Sequence, residues 1–307
     1  MYKSTQPLYF ITETPLHAGS GSDLGYIDLP IQRERHTGYP KVESSGVKGA
    51  IRQAFEAVEE VDLEKLQRVF GYDGDGLPDK IADKFDDKKD FAGALGFSDA
   101  RILLFPVKSL KGTFAWVTCH RVLAKFRTEL KELCGEKELF KLPKSTGVAS
   151  SALYLSSTNQ KIQFEEYIYS DLEVRQDIAD LAIWLADHVL AQSLPYWQKK
   201  IKENLVVLPE DDFADFLKFS TEVHTRIKID NDTGTVKDGA LFTEEYLPSE
   251  TVMYSLAMFS PEFRKGGIKL EEVQEFFDNN KPDYFQMGGN SSIGKGIIRL
   301  ITKNGTV

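Results

Sequence analysis

The chain has 307 residues, of which 41% are hydrophobic and 28% charged, with 38 basic against 47 acidic side chains and a formal net charge of −9. That composition belongs to a globular protein, long enough for one elaborated domain or two. No apolar run approaches ~20 residues and the start MYKSTQPLYFITE lacks the pattern of a signal peptide, so no membrane span is expected and a cytoplasmic protein is.

An acidic chain has little nonspecific attraction for nucleic acid, but the charge is unevenly placed. Residues 53 to 99 and 203 to 250 are strongly acidic. By contrast, Arg101, Lys108, Lys111, Arg121, Lys125, Arg127 and Lys131 face Glu129 alone between 100 and 131. Basic tracks on an acidic body suit a specific groove for RNA. The only cysteines, Cys119 and Cys134, lie outside any CxxC or Cys/His cluster and read as plain thiols rather than zinc ligands.

In chain order, PLYFITE (7–13) is apolar on both faces and predicts a central strand. A long loop follows, 15 to 52, and loops of that length are usually functional. Gly19, Gly21 and Gly25 loosen it, while Pro15 and Pro30 fix two bends. Arg33, Arg35, Lys41, Lys48 and Arg52 face only Glu34 and Glu43 between 31 and 52, a local charge of about +3 that suits an anion. Val47, Ile51, Phe55 and Val58 predict a helix over 46–60, with Ser44 or Ser45 as its cap. Lys48 and Arg52 then lie one turn apart near its N-terminus, where the helix dipole disfavours cations unless an anion is shared between them.

A second helical segment is expected around 62–70. The stretch DGDGLPDKIADKFDDKKD lacks the spacing of a calcium loop and reads as part of a solvated insertion over about 61–99. RILLFPV and GTFAWVT predict two strands joined by KSLKG, and TCHRVLAKFRTELKEL a helix. FEEYIYSDLE resumes a strand, 172–191 forms an amphipathic helix carrying His188, and Trp184 and Trp197 read as core aromatics. Residues 222–248 alternate around an NDTG turn and predict a long β-hairpin. ETVMYSLAMFS is a buried strand, LEEVQEFFDNN a helix, and YFQMGGNSSIGKGIIRLI a strand, glycine loop and strand. Gly289, Gly294 and Lys295 approach the P-loop spacing, but Gly296 replaces the magnesium-binding hydroxyl and too little chain remains for an NTPase. What is left is a flexible turn suited to a sugar-phosphate backbone.

The order strand, helix, strand, strand, helix, completed by a later strand, is that of an α+β, ferredoxin-like (RRM-like) βαββαβ core. Two segments carry a family resemblance in the same direction: HAGSGSDLGYIDLPIQRERHTGYP followed by SSGVKGAIR, and the GGxxxxGKG run from Gly288 to Gly296. Together they resemble the RAMP superfamily of CRISPR proteins, and most of all the repeated backbone subunits of type III-B Cmr effector complexes. The resemblance covers most of the chain. It implies a single RAMP domain over 1–307, with core segments at about 7–60, 100–135, 162–191 and 250–303, a helical insertion, and the hairpin at about 222–248 as a protruding thumb. It also implies guide CRISPR RNA, complementary target RNA, further copies of the chain in a filament and other Cmr subunits as partners, and target cleavage with a divalent metal ion, Mg2+ or Mn2+.

Asp28, in GYIDLPI, is the residue on which the resemblance places cleavage and metal binding; from the residues alone it is equally a turn carboxylate. His17 lies at the other end of the same loop as a possible acid, base or phosphate contact. Glu244 or Glu245 would add a second carboxylate. Lys41, Lys48, Arg52, Gly288, Gly289, Gly294, Lys295 and Arg226 form the expected RNA-binding set. The competing readings are a scaffold of the same architecture that does not cut, and a lone processing endoribonuclease, which the long hairpin argues against.

Overall fold

A computed structural model of the chain describes residues 2–72, 81, 85, 91–190, 194–263 and 266–302. Most of the acidic stretch from 73 to 90 lies outside them. The first half runs β1 (Ser4–Thr12), β2 (Lys41–Val42), α1 (Ser44–Glu56), α2 (Leu63–Phe70), β3 (Gly71–Tyr72), β4 (Phe91–Ala92), β5 (Leu95–Phe97), β6 (Ala100–Lys108), β7 (Phe114–Cys119) and α3 (His120–Glu132). The second half runs β8 (Gly147–Val148), β9 (Ile162–Phe164), β10 (Tyr167–Tyr169), α4 (Gln176–His188), α5 (Pro195–Asn204), β11 (Leu205–Leu208) and α6 (Glu210–Phe219). It ends with β12 (Glu222–Ile229), β13 (Val236–Tyr246), β14 (Val252–Phe259), α7 (Leu270–Asn280), β15 (Tyr284–Gln286) and β16 (Ile297–Thr302). Among the described residues this is a mixed α+β fold with seven α-helices, none long and apolar enough to cross a membrane.

The main sheet has the order β15-β16-β1-β14-β6-β7-β11-β8, with β2 added to β6 and β5 to β14. Its pairings are antiparallel except β7 with β11. β1 is central because Leu8, Tyr9 and Phe10 are buried on both faces, as its unbroken apolar run requires. β14 lies between β1 and β6, so β6 and β1, consecutive core strands in the chain, are not neighbours. Side chains of a strand alternate between faces, and the core divides accordingly. Tyr254 of β14 meets Phe126 of α3, with ring centroids 4.7 Å apart, while Phe259 meets Phe277 of α7 at 5.6 Å.

Helix α1 buries Val47, Ile51 and Phe55, one stripe at helical spacing. Phe55 joins three helices, lying 5.1 Å from Phe70 of α2 and 5.7 Å from Phe277 of α7. The helix opens differently from the sequence expectation. Glu43 is its N-cap residue and no side chain of Ser44 or Ser45 caps it; instead Asp99 accepts from the Ser44 N–H at 2.9 Å. The protein thus supplies an anion of its own at that helix end.

Helix α5, strand β11 and helix α6 had no counterpart in the sequence reading. Their signals were present in retrospect: Pro195 at the start of α5, the four-residue apolar run of β11, and three acids in the first turn of α6 after Pro209. Cys119 is buried and Cys134 partly so. Truncating Phe55 to Ala would empty the three-helix contact and is expected to lower stability by about 3–5 kcal/mol. Urea denaturation reads this, and a loss below about 1 kcal/mol would show that α1 is not anchored there.

Candidate nucleic-acid interface and cleavage site

The loop between β1 and β2 folds back on itself. Ser20 N donates to Pro30 O at 3.0 Å and Gln32 N to Ala18 O at 2.8 Å; at the tip, Asp23 N donates to Asp28 O at 2.9 Å. This stem lies along the edge of β13 that β12 leaves open. Leu16 and Leu247 exchange N–H···O bonds of 2.9 Å, Leu29 N donates to Thr243 O at 3.0 Å, and Glu245 N donates to Leu29 O at 3.0 Å.

Glu245 locks the arrangement from beneath. Its carboxylate is buried and accepts from Ile31 N at 3.0 Å, from Thr221 Oγ1 at 2.8 Å and from the Arg33 guanidinium. Arg33 also donates to the carbonyls of Gly38 and Leu217. A buried carboxylate with three donors is a fastening, and its oxygens are already occupied.

Asp28 is exposed, and its Oδ2 accepts from Thr243 N at 2.7 Å and Thr243 Oγ1 at 2.9 Å. The Thr243 backbone N–H, followed by its hydroxyl, holds the carboxyl below the usual aspartate range. It is therefore a fixed anion facing solvent.

His17 Nδ1 lies 2.7 Å from Glu245 O. A carbonyl only accepts, so Nδ1 carries the proton in the neutral ring and Nε2 is left as a base. A Cβ on Gly19 would come within 2.8 Å of that Nε2, so only glycine leaves it open. His17 and Asp28 thus hang from the same strand edge, at anchors two residues apart, or about 7 Å along an extended strand.

Glu244 and Glu245, adjacent on β13, turn to opposite faces and both are buried. Burial works to raise the Glu244 carboxyl, but hydrogen bonds from Tyr246, Asn290 and Arg226 overcome it and hold the group low. Tyr246 is the hub of this second cluster. Its hydroxyl also accepts from Asn290 at 2.8 Å and Arg226 at 2.9 Å, and its ring lies 5.4 Å from His17, 5.0 Å from His224 and 5.0 Å from the Lys295 ammonium.

The glycine-rich turn closes the far side. Gly289 N donates to His17 O at 2.9 Å, and a Cβ on Gly288, at φ +78°, would lie 2.4 Å from the same oxygen. Close approach requires glycine there. Gly294, at φ +76°, ends the turn with open space around it.

The expected cations separate into two groups. Lys41 is tied to Glu43 and Asp99, Arg52 to Glu56, Gln67 and Gly71 O, and Arg226 to Glu244 and Tyr246. Lys48 and Lys295 have no carboxylate partner among the described residues. Burial, and then the Arg52 charge, pushes the half-buried Lys48 ammonium below the usual lysine range. Sequence reasoning missed Thr243, Tyr246, Asn290 and His224, because their part depends on which strand edge receives the loop.

No group of three or more His, Cys, Asp or Glu that could hold a metal ion occurs among the described residues. The donor set near Asp28 fits only an ion whose other ligands are water and a substrate's phosphate oxygens.

Fold and site together define a class in which an α+β sheet presents a glycine-rich turn with its lysine and a looped carboxylate along one edge. The chain belongs to the RAMP superfamily, whose family model matches residues 9–299. It is 35% identical over 296 residues to the CRISPR system Cmr endoribonuclease Cmr4 of Pyrococcus furiosus, covering 96% of this chain and 94% of that one. It is 25% identical to the CMR subunit Cmr4 of Saccharolobus solfataricus, covering 97% and 96%. Among solved structures, oligomeric Cmr4 from P. furiosus superimposes with a TM-score of 0.70 at 28% identity, over 99% of each chain. A chain of the type III-B Cmr-beta complex bound to cognate target RNA shares the fold, with a TM-score of 0.72 at 22% identity over 98% of each chain.

Glu245→Ala is expected to release the loop stem: the amide of Ile31 should exchange with deuterium at least ~10-fold faster, given the worth of a buried charged hydrogen bond. Unchanged protection would assign the docking to other contacts. Thr243→Val removes the hydroxyl from Asp28. A depressed carboxylate keeps its charge until the pH falls through its lowered value, so carboxyl NMR should show Asp28 titrating at higher pH in the variant. An unmoved titration would mean that the hydroxyl does not stabilise the anion.

Proposed function

We propose that this chain is the guide-RNA-binding backbone subunit of a type III-B CRISPR ribonucleoprotein that cuts complementary target RNA at regular intervals as an endoribonuclease. The observation that carries the proposal is Asp28: an ionised, outward-facing carboxylate held by Thr243 on the strand edge that also carries His17. The relationship to proteins named as Cmr endoribonuclease and Cmr subunit supports the activity and the assembly with other Cmr subunits, and the solved oligomeric Cmr4 supports assembly with further copies of the chain; guide RNA and complementary target RNA are the nucleic acids that this assembly would hold.

In this reading the order β16-β1-β14-β6, with α1 and α7 in the crossovers, is the ferredoxin-like core. It differs from the core the sequence suggested by taking its third strand from β14 and its second helix from α7. The β12–β13 hairpin is the thumb. Its polar residues Glu222, His224 and Arg226 turn inward, and Val223, Ile227 and Leu241 are exposed.

Lys48, Lys295 and the turn from Gly288 to Gly294 hold RNA backbone, whereas Lys41, Arg52 and Arg226 act by fixing the protein around them. A phosphodiester lying between Asp28 and His17 would have its 2′-hydroxyl proton taken by His17 Nε2 as the 2′-oxygen attacks phosphorus and the bond to the 5′-oxygen breaks, with a proton from water completing that leaving group. Lys295 offsets charge on the phosphate. Glu244 positions Tyr246, Asn290 and Arg226, and Glu245 positions the loop. A divalent ion, Mg2+ or Mn2+, bound by the substrate's phosphate and Asp28 would supply further charge neutralisation.

A scaffold that does not cut is the second reading, favoured only by the lack of a clustered metal site among the described residues. Asp28→Asn separates the two. In the assembled particle it should reduce cleavage of complementary RNA by about 100-fold or more while leaving assembly intact. Undiminished, regularly spaced cutting would remove Asp28 from the chemistry.

A further inference from the structure

Leu24 and Tyr26 are the most exposed large hydrophobic side chains among the described residues, at 104% and 103% of their reference areas. Both sit at the loop tip closed by the Asp23 N to Asp28 O bond. The tip is anchored where it matters. Thr243 Oγ1 accepts from Asp28 N at 3.0 Å and donates to Asp28 Oδ2 at 2.9 Å, so one hydroxyl fixes both the backbone and the carboxylate of Asp28, two residues from Tyr26.

We infer that Tyr26 is a stacking platform for an unpaired nucleobase of the bound target RNA, next to the phosphodiester that meets Asp28. Two considerations select this occupant. Besides the half-buried Ile27, the rest of the tip is Ser20, Gly21, Ser22, Asp23 and Gly25, so the apolar surface is too small and interrupted for a protein interface, while one flat ring matches one base. The ring also stands two residues from that fixed carboxylate, within the tip closed by the Asp23–Asp28 bond, so a base resting on it would set the position of its own phosphate against Asp28.

The inference rests on the proposed function, and stacking accounts for roughly 5- to 100-fold in binding of a base. Tyr26→Ala should therefore slow cleavage in the assembled particle by that factor, and Tyr26→Phe, which keeps the ring, should restore the rate. A direct readout uses target RNA carrying 2-aminopurine beside the cleavage position, held uncut by Asp28→Asn particles. Its fluorescence should be quenched with Tyr26 or Phe at position 26 and recover with Ala. Quenching that persists in Tyr26→Ala, a Phe variant as slow as the Ala variant, or Tyr26→Ala particles that lose copies of the chain would each overturn the inference. Because stacking is read by fluorescence, it is measured even if Asp28→Asn particles still cut, an outcome that would instead overturn the role given to Asp28.

Discussion

The buried carboxylate of Glu245 is the constraint on which the site depends. Its three donors come from two places: Ile31 and Arg33 from the loop, and Thr221 from the turn before β12. A loop of this length has no reason in its own sequence to lie on one strand edge rather than in solvent, since closing it costs entropy. The Glu245 bonds, with the main-chain bonds of Leu16 and Leu29, supply that reason. Once the loop is docked, Thr243 meets Asp28 and the Glu245 carbonyl meets His17 without further adjustment.

The hairpin does two things at once because a strand has two faces. Residues Glu244 and Tyr246 turn toward Arg226, His224, Asn290 and Lys295, joining the hairpin base to the glycine turn. The opposite face of β12 carries the exposed Val223, Ile227 and Ile229. On α1, Asp99 provides the anion at the helix N-terminus and Lys48 is partly desolvated with no carboxylate partner among the described residues, so the basic character of that helix is carried by one lysine rather than a cluster.

Periodicity exposed the elements better than the connections. The apolar run of β1, the α1 stripe, the NDTG hairpin and the glycine turn were all readable, because each is set by local chemistry. The insertion of β14 between β1 and β6 was not, since it joins segments some 150 residues apart in the chain and leaves no trace in either. The same limit applied to the site. Asp28, His17 and Lys295 were legible as residue types in suggestive places. That Lys41, Arg52 and Arg226 would be consumed by internal bonds, and that Glu245 would be a fastening, depended on neighbours supplied only by folding.

The central claim is that the docked loop turns Asp28 and His17 toward one phosphodiester. Its most direct test is an experimental structure of the assembled particle with complementary RNA that lacks the 2′-hydroxyl at the cleavage position. The account predicts both side chains facing the same phosphate, with Glu245 still accepting from Ile31. A phosphate bound on the far side of β13, with Asp28 left in open solvent, would contradict it.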